Sequence, residues 1–198
     1  EALCWLGEHY HLVPTAPPAK VEAAQPPKRI VAEYIYTDVD GRPLHKKIRY
    51  EPKSFSQQAF IGGRWVGSMQ GVAPVLYRLP EVVAAVQADR WIFQVEGEKD
   101  AEAVAARGLC ATTQTGGAGK WRQAYTDVLQ GACVAIVADK DAPGRKHAEL
   151  VAEALAGQAA VVKVIELPGE AVKDASDWLE AGGTAEELLA MVEAAEVW

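Results

Sequence analysis

Residues 91–107 read WIFQVEGEKDAEAVAAR. Trp91–Val95 is a short apolar run of the kind that forms a buried strand. Glu98–Arg107 is alanine-rich and helical, and Gly108 behind it suits the left-handed C-cap that ends many helices. The same unit then recurs: a strand over Leu109–Thr113 and a helix over Lys120–Leu129, then a strand over Ala132–Ala138 and a helix over Gly144–Ala156. A fourth strand spans Ala159–Leu167. A last helix runs over Thr184–Ala195, with Thr184 as N-cap and Glu187 three residues on completing a capping box. Strands alternating with helices predict a parallel, doubly wound α/β sheet.

In such a sheet, ligands sit beyond the carboxyl ends of the strands, near the point where strand order reverses. The segments that follow the four strands are therefore the informative ones. They are Glu96-Gly97-Glu98-Lys99-Asp100, Gln114 to Arg122, Asp139-Lys140-Asp141 to Arg145, and Lys173-Asp174-Ala-Ser-Asp177. Three deliver acids to one edge, and the other delivers glycines with Lys120 and Arg122. Carboxylates from separate strand ends can converge on Mg²⁺ or Mn²⁺, which keep waters and leave room for phosphate oxygens. Asp139 and Asp141, two apart, point the same way if the strand conformation persists. Gly97 lets the backbone turn sharply beside Glu96 or lets a phosphate approach. Gly116-Gly-Ala-Gly-Lys120 is not a Walker loop, because Gln114 stands where the first glycine belongs and Trp121 follows the lysine. It remains a glycine-rich turn suited to phosphate, with Lys99, Lys120, Arg122 and Arg145 as candidate phosphate partners.

Outward from this core, the N-terminal half changes character. Residues 1–27 carry an apolar stretch, Ala2–Leu6, and then a proline-rich linker. Residues 29–36 and 43–50 flank Asp38-Val-Asp-Gly41, which predicts a hairpin. A weaker pair, Phe55–Phe60 and Arg64–Val66, flanks Gly62-Gly63, and Glu81–Gln87 makes a short helix after Pro80. Residues 28–88 thus read as a small, basic, mostly β subdomain before the α/β domain of 89–198. From Lys28 to Arg78 there are nine Lys or Arg against four acids, in a chain of net charge −7. A basic segment joined to an acidic remainder suits a protein that holds nucleic acid with one part and metal with the other. Lys46, Lys47, Arg49, Lys53 and Arg64, with Trp65, would track a single strand by phosphate contacts and stacking. The plainer reading of Lys46-Lys47-Arg49 is a solvated edge that resists aggregation.

At 49% hydrophobic and 24% charged, the chain is of ordinary globular composition. No apolar run approaches the roughly 20 residues that span a bilayer. Cys4, Cys110 and Cys133 form no C-x-x-C pair, so neither a zinc ribbon nor a disulfide framework is expected, and a reducing cytoplasm fits. The four histidines lack metal-ligand spacing and are expected to titrate freely. A start at Glu1 rather than Met reads as a fragment.

Val95-Glu-Gly-Glu-Lys-Asp-Ala101, followed about forty residues later by Ala138-Asp-Lys-Asp141, resembles the TOPRIM signature of primases, topoisomerases and related nucleases. Tyr34-Ile-Tyr-Thr-Asp-Val-Asp-Gly-Arg-Pro-Leu44, Val75-Leu-Tyr-Arg-Leu-Pro80, Gly116-Gly-Ala-Gly-Lys-Trp121 and Asp174-Ala-Ser-Asp-Trp-Leu179 are similar to phage and plasmid primases, which are often fused to helicases. The resemblance covers residues 30–195. It implies a TOPRIM, Rossmann-like sheet and a nucleotidyltransferase that makes short primers from nucleoside triphosphates on single-stranded DNA, with a helicase as partner. It places Glu96, Asp139 and Asp141 at a Mg²⁺ or Mn²⁺ centre and makes Asp100 the acid of the first motif. Asp174 and Asp177 match a further acidic motif less closely, because their spacing departs from D-x-D; capping of the next helix is the plainer reading. Many such primases carry a zinc-binding module before this region, and residues 1–27 are not expected to form one. The other functions compatible with this signature are a metal-dependent nuclease and a non-catalytic DNA-binding module of a helicase.

Overall fold

The computed structural model describes residues 27–198. The Ala2–Leu6 stretch and the proline-rich linker lie outside the described residues. An antiparallel sheet comes first, in the order β1 (Arg29–Thr37), β2 (Pro43–Glu51), β3 (Ser54–Ile61) and β4 (Arg64–Val66). The β1–β2 turn closes on one side chain: Asp38 Oδ1 accepts from the backbone N–H of Asp40 at 2.9 Å and of Arg42 at 2.8 Å. Such an Asx turn offers the backbone its bonds locally. At the β3–β4 turn, Gly62 and Gly63 both take positive φ (58° and 80°), as a tight two-residue hairpin requires.

The second sheet is parallel, in the order β6 (Cys110–Thr112), β5 (Ile92–Gln94), β7 (Cys133–Ala138) and β8 (Val161–Glu166). The chain starts at β5, steps to β6 on one side, then crosses to β7 on the other. Strand order therefore reverses between β5 and β7, and the segments leaving these two strands are those bearing Glu96 and Asp139. Both faces are covered, as a doubly wound sheet demands. Period-2 alternation assigns the residues: Ile92, Val134 and Ile136 join one core, and Phe93, Ala135 and Val137 the other.

The helices are α1 (Leu79–Gln87), α2 (Glu98–Ala105), α3 (Gln123–Val128), α4 (Ala142–Leu155), α5 (Ala175–Glu180) and α6 (Ala185–Ala194). The first core collects Val82 of α1, Tyr125 of α3, and Val151 and Leu155 of α4. The opposite core collects Val104 of α2, Trp178 and Leu179 of α5, Leu188 and Val192 of α6, and also Tyr34 and Tyr36 of β1. The antiparallel sheet is thus packed against the parallel one through tyrosines. The segment before α1 is sewn in as well. Tyr77 donates its N–H to Thr113 O at 2.9 Å, and Thr112 Oγ1 donates to Tyr77 O at 2.7 Å.

Three boundaries differ from the sequence reading. The helix expected over Lys120–Leu129 begins only at Gln123. Gly116, Gly117 and Gly119 all take positive φ, and the Trp121 indole N–H donates to Thr126 Oγ1 at 2.9 Å, so the turn continues to Arg122. The next helix starts at Ala142, before Gly144, because Asp141 caps it and Pro143 fits its first turn. Residues 175–180, read only as motif, form a separate helix capped by Asp174. The capping box predicted for α6 is present, with Thr184 and Glu187 exchanging bonds of 3.2 and 3.0 Å.

Candidate active site

The acids gather where the strand order reverses. Glu96 leaves β5 and Asp139 leaves β7; Asp100 lies in the first turn of α2, and Asp174 at the start of α5. Together with Gly97, Lys99 and Asp177 they line one cleft of about 460 Å³. Its facing wall comes from the antiparallel sheet: Tyr34, Lys47, Arg49, Lys53 and Phe55. Lys47 and Arg49 are two apart on β2, which puts both on the face toward the parallel sheet. Anionic and cationic groups thus confront one another across a gap wide enough for a nucleotide. A larger groove of about 750 Å³ between α5 and α6 is mostly apolar, with Glu187 its one charged residue, and lies away from this chemistry.

Crowding of carboxylates shows in their proton affinities. Burial, the Glu96 charge and the Asp100 charge push Asp139 up to about 8. Burial and then the Asp174 charge push Asp100 up to about 6, although it accepts from Ser176 N at 3.0 Å. Asp174 goes the other way. Burial would raise it, but the Asp177 N–H at 2.8 Å and the Ser176 hydroxyl at 2.7 Å hold its charged form below the usual range. Like charges held this close are an arrangement that a bound cation relieves.

The structure does not draw all five candidate metal acids to one point. Among the described residues no three His, Cys, Asp or Glu side chains form a ready cage. Asp141 is turned to cap α4, its Oδ1 accepting from Gly144 N at 2.7 Å, and it does not line the cleft. Asp177 lines the cleft rim, with Lys99 Nζ 3.9 Å away. Even so, the donor chemistry fits Mg²⁺. That ion is held through one or two hard carboxylates plus waters and substrate phosphates rather than by an all-protein cage.

The candidate basic residues divide likewise. Arg49 and Lys53 line the cleft. Lys47 does too, but its Nζ is 2.7 Å from Glu98 Oε2 and only 14% of its side chain is exposed. Lys46 points to the opposite face, paired with Glu33 at 2.7 Å and set 4.9 Å over the Trp65 ring. Arg64 and Trp65 sit on β4, away from the acids. Arg145 is spent on Glu166 at 2.6 Å, and Lys99 bridges toward Glu180 at 3.4 Å. Lys120 and Arg122 line a separate pocket of about 230 Å³, and only Gly117 of their turn reaches the acidic cleft.

Two groups escaped the sequence reading. Glu98 is buried and accepts from both Lys47 and the Tyr36 hydroxyl, at 2.7 Å each, which ties the two sheets together in the wall of the cleft. Histidines 45 and 147 do not titrate freely: both are buried, and burial lowers His45 to about 4 and His147 below its ordinary value. His147 accepts from Gly119 N at its Nδ1 (3.1 Å), and its Nε2 lies 2.7 Å from the Gln114 amide, which in turn meets Gln94. The signal was Gln94 itself, an amide inside an otherwise apolar strand.

Gly144 has no room for a larger residue. A Cβ there would lie 2.6 Å from Asp139 Cβ and 2.8 Å from its carbonyl oxygen. Gly144→Ala should therefore cost about 1–3 kcal/mol in a denaturant melt and displace Asp139, weakening Mn²⁺ binding in the same sample.

No family model matches the chain, and no curated protein matches it. Solved structures do. A DnaG primase catalytic domain bound to single-stranded DNA is 21% identical, with a TM-score of 0.64 over 83% of this chain and 51% of that one. A DNA primase domain from Pseudomonas aeruginosa is 21% identical, with a TM-score of 0.65 over 83% and 51%. The primase fragment of the bacteriophage T7 primase-helicase is 22% identical, with a TM-score of 0.54 over 81% and 61%. The chain spans about half the length of the DnaG-type domains it matches. Its fold is the TOPRIM α/β fold of DNA primase catalytic cores, with an antiparallel sheet laid before a parallel one.

Proposed function

We propose that this chain is the primer-synthesising core of a phage- or plasmid-type DNA primase, a nucleotidyltransferase acting on single-stranded DNA with nucleoside triphosphates. The observation that carries the reading is the acidic cleft at the strand-order reversal, faced across about 460 Å³ by Arg49 and Lys53. Glu96 and Asp139 are its principal Mg²⁺ or Mn²⁺ ligands, with Asp100, Asp174 and Asp177 lining the same cleft and Asp141 outside it, at the cap of α4. A metal there would supply charge neutralisation for the triphosphate and a more acidic attacking hydroxyl. The protein's own part is placement and charge. Glu96 and Asp139 fix the negative centre at the switch point. Gly97 leaves the approach beside Glu96 open, since a Cβ there would meet Asp100 Oδ2 at 3.1 Å. Arg49 and Lys53 hold template phosphates on the opposite wall, and Phe55 offers a face for a base. Phosphoryl transfer needs positioning and electrostatics more than a protein nucleophile, and no Ser, Thr, Cys or His lines the cleft among the described residues. A replicative helicase, fused or separate, is the partner that would deliver the single strand. No helix among the described residues is long and apolar enough to cross a membrane.

The test is synthesis on a panel of single-stranded templates with labelled nucleotides and Mg²⁺ or Mn²⁺. Short metal-dependent products that disappear in the Asp139→Asn/Asp141→Asn variant are expected. Metal-dependent cutting of the template without synthesis would replace this reading with a nuclease, and neither activity would leave a DNA-binding module.

The proton affinities give a second expectation. Asp139 binds its proton more tightly folded than unfolded, so between its ordinary value and about 8 the folded state holds the extra proton. Stability from that proton is lost as pH rises through this window. The lowered histidines act oppositely, but only below about 6.5. Without metal, the melting temperature should fall between pH 6.5 and 8.5. Mg²⁺ should raise it more at pH 8.5 than at pH 6.5, because at the lower pH it competes with a proton. A metal-induced rise that is equal at both pH values would count against the carboxylate site.

A further inference from the structure

Behind the glycine-rich turn lies the pocket of about 230 Å³ that the acidic cleft does not include. The turn is the partition: Gly117 borders the cleft, while Thr115 and Gly116 border the pocket. The walls of the pocket divide by chemistry. Met69, Val72 and Pro74, from the loop between β4 and α1, form an apolar side; Lys120 and Arg122 supply two cations; His45 of β2 and Gln57 of β3 supply hydrogen-bonding groups. No carboxylate lines it. Among the described residues neither Lys120 nor Arg122 has an acid within 4.0 Å, whereas Lys46, Lys47, Lys99 and Arg145 are all paired.

His45 is the second observation. It is 1% exposed, stacks on Tyr36 with ring centres 4.3 Å apart, and places Nε2 3.0 Å from Thr115 Oγ1. Its Nδ1 has no partner. His45 Nε2 and the Thr115 hydroxyl form a fixed polar edge in the pocket wall, and a cavity that sets such an edge beside two unpaired cations and an apolar side has the make-up of a ligand site.

We propose that this pocket is a second nucleotide site, which takes one nucleoside 5′-phosphate. The phosphate lies on Lys120 and Arg122. The base lies against Met69, Val72 and Pro74, with its polar edge toward Gln57 and the Thr115–His45 pair. The inference rests on reading the chain as a nucleotide-handling enzyme and adds a site that is separate from the reacting centre. The two sites differ in one testable respect. Carboxylates repel phosphate, so the acidic cleft takes a triphosphate only with a divalent cation. The pocket, lacking carboxylates and carrying two cations, binds its nucleotide in chelator.

The experiment is a titration of the whole chain with ATP and with GTP in EDTA, followed by calorimetry and tryptophan emission. Trp121 abuts Tyr125, a pocket residue, at 5.4 Å between ring centres, so its emission reports occupancy. Saturable binding is expected, with inorganic tripolyphosphate binding more weakly than ATP. Lys120→Ala/Arg122→Ala should weaken binding about tenfold or more, the loss of one or two charge-assisted bonds. Gln57→Ala should change the ATP-to-GTP preference, and Glu96→Gln should bind as the parent does. No saturable binding in EDTA would overturn the site. So would binding that ignores the Lys120/Arg122 change, or tripolyphosphate binding as tightly as ATP, which would leave only an anion patch. The outcome is separable from primer synthesis. Synthesis without EDTA-resistant binding removes the second site and keeps the primase reading, and EDTA-resistant binding without synthesis does the opposite.

Discussion

Asp139→Asn is expected to abolish metal-dependent primer synthesis and, in the same protein, to raise the melting temperature in EDTA at pH 8. The two effects have one cause. Burial and the neighbouring charges of Glu96 and Asp100 make an ionised Asp139 unfavourable in the metal-free fold, which is why its proton is held up to about 8. An amide of nearly the same shape removes that charge and relieves the repulsion. A 198-residue chain gains roughly 2–4 °C for each kcal/mol relieved. Catalysis runs the other way. The charge that burdens the fold in EDTA is what binds the cation, and metal stabilisation of a phosphoryl-transfer transition state is worth several kcal/mol. A loss on the order of 10³-fold follows, since each 1.36 kcal/mol is tenfold. Thermal melts with and without Mg²⁺, run beside a primer assay, read both. A variant that is inactive and also less stable in EDTA would mean that Asp139 is a structural residue.

Lys47→Met is expected to lower stability by about 3–5 kcal/mol, the effect of leaving a buried carboxylate without its partner. Lys47 and Glu98 are 14% and 3% exposed and 2.7 Å apart. Glu98 also accepts from Tyr36, which belongs to the core shared by the two sheets. The methionine keeps the aliphatic stem but strands the charge. The melting temperature should drop by on the order of 10 °C. The double variant Lys47→Met/Glu98→Gln should regain most of the loss, because the orphaned charge is then gone. If the single variant melts within a degree or two of the parent, Lys47 is free for nucleic acid and the clamp between the sheets is not there.

That pair shows how far the sequence could be read. Lys46, Lys47 and Arg49 look alike as letters, a basic run on a predicted hairpin. Strand alternation separates Lys46 from the other two, but only the packing of the sheets shows that Lys47 meets Glu98, 51 residues away. The parallel sheet was legible because short apolar strand runs alternate with helical stretches closed by Gly108, Gly131 and Gly157, and a capping box marks α6. The motif acids were legible because they all follow strands. What the letters could not carry was orientation. Asp139 and Asp141 have the same spacing in an extended strand, yet the chain bends into α4 between them, and Asp141 spends an oxygen on Gly144 N. Lys120 and Arg122 follow the glycines as a phosphate-binding pair would, but three positive-φ glycines turn them to the far side of the loop. His45 and His147 lie in runs that predict surface positions, and they are buried by contacts with Thr115 and Gln114 on a different strand end.

Primer synthesis as proposed needs the acids at the β5–β7 reversal to form a divalent metal site. The most direct measurement is Mn²⁺ binding followed by electron paramagnetic resonance, in the parent chain and in Glu96→Gln and Asp139→Asn. Saturable binding is expected in the parent, weakened at least about tenfold in each variant. Binding of the same affinity in all three proteins, or no saturable binding in the parent, would contradict that site.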